Sequence, residues 1–366
     1  MRILYIDVDY PRFLDWLYGR DPSLRDAPFE TQQEARFATC FGQADFYPRH
    51  LKRLGHEVLQ TYVNNQVMQE RWLHETEVSR FGRIIANHRR FKEISSVEPH
   101  DILLYQAKMF RPDVVIVQTS TVGVEVLKAL KRRTKLLVGD FSAPLAAGFD
   151  ATVFDLILSA VPHYVERFRK IGVASEFIPL AFEASIADLV GERSIEQEVT
   201  FIGSVSMAHR QRREWLEALV GKVEVSIWGD LYAEPDPASP SPLAMLMKPP
   251  LWGMDMFRAL RRSKVTLNRH IDVAGPIAGN MRLFEATGVG ACLVTDWKEN
   301  LGDFFEIGTE VVTYRTVEEC IDLVRYYLRH DAEREAITRA GQARCLRDHT
   351  YERRAERLTD LLRRYL

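Results

Sequence analysis

Short apolar runs alternate with amphipathic segments along almost the whole chain. In the first half, Arg2–Asp7, Glu57–Tyr62, Asp113–Gln118, Lys135–Gly139, Asp155–Ser159 and Glu176–Pro179 have the length and composition of buried strands. Apolar spacing of helical period predicts helices over Phe46–Leu54, Val67–Ile94, Val122–Leu130 and Val161–Ile171, the first and last followed by Gly55 and Gly172. Strand and helix in turn predict a parallel sheet covered by helices.

The pattern restarts near Glu198. Strands are predicted at Val199–Gly203, Val223–Gly229, Val265–Asn268, Ala291–Thr295 and Val311–Tyr314. Helices are predicted at Arg210–Val220, Met254–Arg261, Arg282–Thr287, Val317–His330 and Ala332–Arg347. Two successive units of this kind read as two doubly wound α/β domains, residues 1–183 and 184–350, with the polar segment Glu183–Gln197 as linker. Residues 234–250 hold Pro235, Pro237, Pro240, Pro242, Pro249 and Pro250 and are expected to be largely loop. In the last segment Tyr351, Ala355, Leu358, Leu361, Leu362 and Tyr365 form one helical stripe that needs a surface to cover.

Bulk properties narrow the class. A chain of 366 residues with 46% hydrophobic and 27% charged residues suits a soluble protein of two domains. The net charge of −2 gives no global reason to expect nucleic acid. Local cations occur at Lys128, Lys131, Arg132, Arg133 and Lys135 and at Arg353–Arg354; both sets read as solvated helix faces, the first with peripheral contact to an anionic membrane or acidic acceptor as the alternative. Cys40, Cys292, Cys320 and Cys345 have neither zinc spacing nor a disulfide pattern, which fits a reducing cytoplasm. The chain opens on a strand rather than a leader peptide, and no apolar run reaches the ~18 residues of a membrane span.

In open α/β sheets ligands bind beyond the C-terminal strand ends, so chemistry is sought there. The second unit offers Gly203 and Ser204 followed by His209, Arg210, Arg212 and Arg213, a turn and basic helix start suited to phosphates. Trp228, Gly229 and Asp230 end the next strand, where a backbone edge can read a nucleobase or the Trp can simply be core. Asn268, Arg269 and His270 end the third. The first unit offers Asp7, Asp9 and Tyr10, then Gln118 to Thr121, then Asp140 to Ser142, then His163. Asp140 and Asp9 are candidate general bases toward an acceptor hydroxyl, with His163 as a third; capping or turn roles are the ordinary alternative for each aspartate.

Residues 280–296 carry the most information. Arg282 and Glu285 project from one helix face, after the loop Gly275-Pro276-Ile277-Ala278-Gly279 and before Gly288 and Gly290. A helix start with free N–H groups attracts phosphate oxygens, and a carboxylate one turn further in suits ribose hydroxyls. The order therefore suits a nucleoside diphosphate. Asp7-Val8-Asp9 has Asp-x-Asp form but lies in the other unit. There is no His-x-x-x-His, Walker loop or Gly-x-Ser-x-Gly, and the first βα turn lacks Gly-x-Gly-x-x-Gly.

Phe201-Ile202-Gly203-Ser204, Trp228-Gly229, Val265–His270, Arg282-x-Phe284-Glu285-Ala286-x-Gly288-x-Gly290 and His349-Thr350-Tyr351 resemble the C-terminal half of group 1 glycosyltransferases. The CgeB-like branch is the nearest match, and residues 155–182 resemble the segment preceding its donor domain. The likeness implies a GT-B fold: two Rossmann-like domains facing across a cleft, with the helix after Tyr351 crossing back to the first. It implies a nucleotide-sugar donor, a UDP-sugar or another NDP-sugar, bound without an essential metal or further cofactor, and a glycan or other hydroxyl acceptor. Glu285 would then hold the ribose, and Arg282 with the N–H groups near Asn280 and Met281 the diphosphate. Ile277 stands where many retaining members carry a second glutamate. Two other readings use the same fold: a nucleotide-sugar epimerase, or a non-catalytic module binding a nucleotide or glycan.

Overall fold

The computed structural model describes residues 1–81, 99–146, 148–206, 210–232 and 240–366. The chain divides into two compact units, one of Met1–Ile178 with Ala355–Leu366 and the other of Pro179–Arg354. Each holds a six-stranded sheet, and every pairing within the sheets is parallel.

The first sheet runs β2-β1-β3-β4-β5-β6, with β1 at Arg2–Asp7, β2 at Glu57–Tyr62, β3 at Val114–Val117, β4 at Leu136–Asp140, β5 at Leu156–Ser159 and β6 at Ala174–Phe177. Leu4, Ile6, Val115, Val117, Leu137 and Ile157 share one core with Leu103, Leu127 and Phe168 from covering helices. Ile3 and Tyr5, on the opposite face of β1, are buried too. Helices on both faces are why these strands read as unbroken apolar runs.

The second sheet runs β12-β11-β10-β7-β8-β9, with β7 at Gln197–Ile202, β8 at Ser226–Trp228, β9 at Met247–Lys248, β10 at Ser263–Asn268, β11 at Cys292–Asp296 and β12 at Val312–Tyr314. Its core joins Val199, Phe201, Val265, Leu267 and Val294 to Trp215, Leu216, Val324 and Ile337.

The structure departs from the sequence reading in several places. Helices Pro11–Arg20 and Phe29–Ala38 occupy a region where no element is expected. The sixth strand begins at Ala174, ahead of the predicted Glu176. The expected linker is folded into the second unit, where it forms helix Ser185–Leu189 and pairs Arg193 with Glu335. The proline-rich segment contains helix Pro242–Leu246 and the edge strand β9, with residues 233–239 outside the described ones. The long helix predicted over Val67–Ile94 is seen as Gln66–Phe81, its remainder lying outside the described residues.

The Tyr351–Tyr365 helix starts in the second unit and ends in the first. Its beginning is held by Phe182, whose N–H donates to His349 O at 2.8 Å and whose carbonyl accepts from Tyr351 N at 3.0 Å. Arg354 is buried, not solvated as its charge suggests, and donates to Pro179 O at 3.0 Å. Within the first unit Leu358, Leu361 and Leu362 are buried, and Arg357 donates to Phe177 O at 2.7 Å. Thr359 lies 3.1 Å from His56 Nε2. Thr359→Val removes that buried bond and is expected to cost about 1 kcal/mol, read as a lower urea midpoint. An unchanged midpoint would show that this contact adds nothing.

Candidate functional site

In the second unit the candidate residues collect at the C-terminal ends of β7, β8, β10 and β11. The loops after β7 and β8 touch through glycine. Gly229 has a φ of 154°, and a Cβ there would meet Gly203 O at 2.4 Å, so both conformation and space exclude a side chain. Gly203 N donates to Trp228 O at 2.8 Å, and Asp230 N to Ser204 Oγ at 3.2 Å. Trp228, at the end of β8 beside the edge strand β9, is half-buried, with Lys248 Nζ 4.6 Å from its ring centre.

Arg212, not Arg210, is the cation built into this rim. Arg210 is exposed and pairs with Glu214 along its own helix, so its expected phosphate role finds no support in its placement. His209 lies outside the described residues. Arg212 donates to Ser204 O and to Arg269 O, both at 2.8 Å, and ties the β7 loop to the β10 loop. Burial lowers its pKa to about 10, and the guanidinium stays charged at neutral pH. Arg269 itself reaches Gln211 Oε1 at 3.2 Å.

Asn268 at the end of β10 and His270 just after it are buried and bonded to residues of other elements. Asn268 and Asn280 exchange amide bonds of 2.8 and 3.2 Å, and Asn268 also donates to Thr295 Oγ1 at 3.0 Å. Asn280 in turn caps helix Met281–Gly288 by accepting from Leu283 N at 3.3 Å. His270 Nδ1 lies 2.7 Å from Asp296 Oδ1, and its Nε2 accepts from Gly279 N at 3.3 Å. With both ring nitrogens engaged, His270 fixes the glycine-proline loop instead of presenting a nitrogen to a ligand. This corrects its expected binding role. Burial works against the charge of Asp296, but bonds from His270 and the nearby Lys298 outweigh it and bring the carboxyl down to about 2.

Helix Met281–Gly288 opens on N–H groups of Met281 and Arg282 that have no backbone acceptor among the described residues. One turn in, Arg282 Nη1 pairs with Glu285 Oε2 at 2.9 Å, and Nη2 donates to Ile202 O at 3.2 Å. Arg282 Nε is buried without a partner among the described residues. The guanidinium thus points inward, to the end of β7, and not outward as a phosphate hand. Burial raises the Glu285 pKa and lowers that of Arg282, and each charge opposes the other's shift. Gly288 is required behind this pair, since a Cβ would fall 2.3 Å from the Phe182 ring.

In the first unit, β1, β3 and β4 end in a cluster of acids and amides. Asp9 and Arg36 form a buried ion pair at 2.7 Å with side chains 0% and 2% exposed. Arg36 also bonds Phe41 O at 3.0 Å and lies over the Tyr62 ring at 4.4 Å. Asp9 is therefore a structural anion and not the base expected of it. Asp140 is partly exposed and accepts from Gln118 Nε2 at 2.9 Å, whose other acceptor is Gln43 Oε1. Burial, partly offset by that bond, raises Asp140 to about 6. Asp7 is raised to about 7, by burial first, against Val8 N–H and Arg36 and with the charges of Asp9 and Asp140 adding to the rise. His163 is exposed on the first turn of helix Pro162–Lys170, after β5 and edge-on to Tyr164 at 5.0 Å. Nothing around Arg36 in the sequence marks it as the partner of Asp9, so sequence reading missed it.

Among the described residues, no group of three or more His, Cys, Asp or Glu side chains is placed to hold a metal ion, and no helix is long and apolar enough to cross a membrane. In the basic cluster, Lys128, Lys131 and Lys135 pair with Glu125, Asp155 and Asp113.

Residues 210–360 match the family described as Glycosyl transferase-like. No curated protein sequence matches the chain. Solved structures match end to end. HepE of Anabaena in complex with UDP-glucose has a TM-score of 0.59 at 13% identity, covering 100% of both chains. A sucrose-phosphate synthase of Thermosynechococcus elongatus gives 0.58 at 10% identity, covering 100% of this chain and 98% of that one. A glycosyltransferase of Rickettsia africae gives 0.59 at 9%, again covering 100% and 98%. The fold is that of the GT-B glycosyltransferases, and the match to the glycosyltransferase-like family falls mostly on the second unit; nothing in the likeness singles out the CgeB-like branch.

Proposed function

We propose that this GT-B protein moves a sugar from a nucleotide-sugar to an acceptor hydroxyl. The observation that carries the donor assignment is the Arg282–Glu285 pair one turn inside a helix whose first N–H groups are open. The N–H groups of Met281 and Arg282 would take diphosphate oxygens, favoured by the positive end of the helix dipole. Glu285, whose charge Arg282 favours against the burial that raises its pKa, would accept from the ribose hydroxyls. Arg282 acts here as a positioning residue, holding Glu285 and the end of β7. UDP is the nucleotide to test first, since the Anabaena relative was solved with UDP-glucose.

Leaving-group charge would be stabilised by these fixed donors in place of a cation. Asp140, raised toward neutrality at the rim of the first unit, would accept the proton of the acceptor hydroxyl.

The test is a UDP titration of the intact protein in chelator. Saturation at about 100 times the dissociation constant should add about 2.7 kcal/mol of apparent stability. Glu285→Gln keeps the bulk beside Arg282 and should weaken UDP by about 1.5–3 kcal/mol, or tenfold and more. Unchanged affinity in a folded variant would remove Glu285 from the site. Binding that disappears in chelator would overturn the metal-independent part.

A further inference from the structure

The loop leading into helix Met281–Gly288 has two glycines with positive φ, Gly275 at 58° and Gly279 at 144°. A loop with two such residues is free to take many other shapes, so the shape seen has to be imposed from outside. Two side chains impose it at the ends. Lys298 Nζ donates to Gly275 O at 2.5 Å, and His270 Nε2 accepts from Gly279 N at 3.3 Å. Between them, Glu299 N donates to Pro276 O, and the Asn300 amide bonds both backbone groups of Ala278.

Both end clamps are fastened to one carboxylate. Asp296, the last residue of β11, places Oδ1 2.7 Å from His270 Nδ1 and accepts there from His270 N at 3.0 Å; its Oδ2 lies 3.3 Å from Lys298 Nζ. These bonds also fix the proton of the ring. The Gly279 N–H can donate only to a bare nitrogen, so Nε2 holds the lone pair and the proton sits on Nδ1, donated to Asp296. Both side chains are buried, and their polar atoms are spent on each other and on the loop.

We propose that Asp296 and His270 are positioning residues for the nucleotide: together they fix the loop that aims the first N–H groups of helix Met281–Gly288. The inference rests on the nucleotide-sugar reading and adds to it the groups that set the geometry of its phosphate-binding end. Gly279 directly precedes the capping residue Asn280, so a turn of the Gly279 peptide is passed on to the N–H groups of Met281 and Arg282. Donors that are present but misaimed bind weakly, which is why supporting residues behind a site matter as much as those that touch the ligand.

The test measures UDP affinity by calorimetry on the full chain, with the urea midpoint of the same samples. His270→Asn places an amide where Nδ1 stands and leaves Gly279 N without its acceptor. His270→Gln reaches the position of Nε2 and can accept from Gly279. UDP should bind at least tenfold more weakly to His270→Asn and to Asp296→Ala, but no more than threefold more weakly to His270→Gln. Thr359→Val, destabilised in the other unit, should bind within twofold of the parent and shows that lower stability alone does not weaken UDP. Nitrogen-15 spectra of histidine-labelled protein should show His270 protonated on Nδ1. A folded His270→Asn that binds UDP within twofold of the parent overturns the inference. So does an equal loss in both His270 variants, or a ring protonated on Nε2; if His270→Asn does not fold, these last two readouts decide. A parent that does not bind UDP overturns the nucleotide reading and this inference with it, whereas normal binding in the parent with unaffected variants strikes only at the positioning role.

Discussion

Asp140→Asn is expected to lower glycosyl transfer by about 10²–10⁴-fold and, in the same protein, to raise thermal stability at pH 8. The first effect follows from removing the proposed proton acceptor while keeping its shape: the amide oxygen still accepts from Gln118. The second follows from linkage. In the unfolded chain Asp7 and Asp140 ionise near 3.8, but in the native protein burial raises them to about 7 and about 6. The native form therefore holds protons that the unfolded chain has released. Their contribution to stability is full below the unfolded value and is lost as pH rises through 6 and 7. Asp140 alone accounts for at most about 3 kcal/mol of that loss. The gap between melting curves at pH 4 and pH 8 should be smaller in the variant than in the parent, Asp7 supplying the part that remains. A variant that is no more stable at pH 8 would show that the carboxyl is not held against its charge, and full activity would remove it as the base.

Arg282→Met is expected to be among the most destabilising single changes, by about 3–5 kcal/mol. The loss comes less from the missing attraction than from the carboxylate left behind, because Glu285 is 7% exposed and Arg282 is its one cationic partner among the described residues. Without Arg282 the upward shift that burial imposes on Glu285 loses its counterweight, and the more the acid is protonated the poorer an acceptor it is for ribose hydroxyls. UDP affinity should fall with stability. Adding Glu285→Gln to Arg282→Met should recover much of the stability, since the uncompensated charge is gone, but none of the UDP affinity. Chemical denaturation and calorimetry on the four proteins of this cycle decide the matter. Recovery of both would make the pair a packing device only, and recovery of neither would show that Ile202 and Met256 contacts, not charge, govern the site.

Both units were legible as α/β because their strands are continuous apolar runs, and most ends fall within two residues of the reading. What escaped was hidden by polar residues turned inward. Helix Phe29–Ala38 buries Gln32 and Arg36, so its inner face carries no apolar stripe. Strand β9 sits between prolines and is two residues long. At the candidate site, the sequence showed which polar groups follow the strands but not what their side chains do there. Asn268 and His270 were visible as polar groups after an apolar strand; that they bind Asn280 and Asp296 instead of solvent depends on partners 12 and 26 positions away. The ion pair of Asp9 with Arg36, 27 positions apart, leaves no local trace at all.

The path of the final helix also orders events during synthesis. The second unit is one continuous stretch, Pro179–Arg354, and is complete as soon as that stretch leaves the ribosome. The first unit is translated earlier, yet it lacks Ala355–Leu366 until all of the second has been made, a wait of roughly 10–40 s at 5–20 residues per second. During that interval the surface destined for Leu358, Leu361 and Leu362 is bare. The N-terminal half is thus the last to mature, and it is the part for which a chaperone would have the longest opportunity.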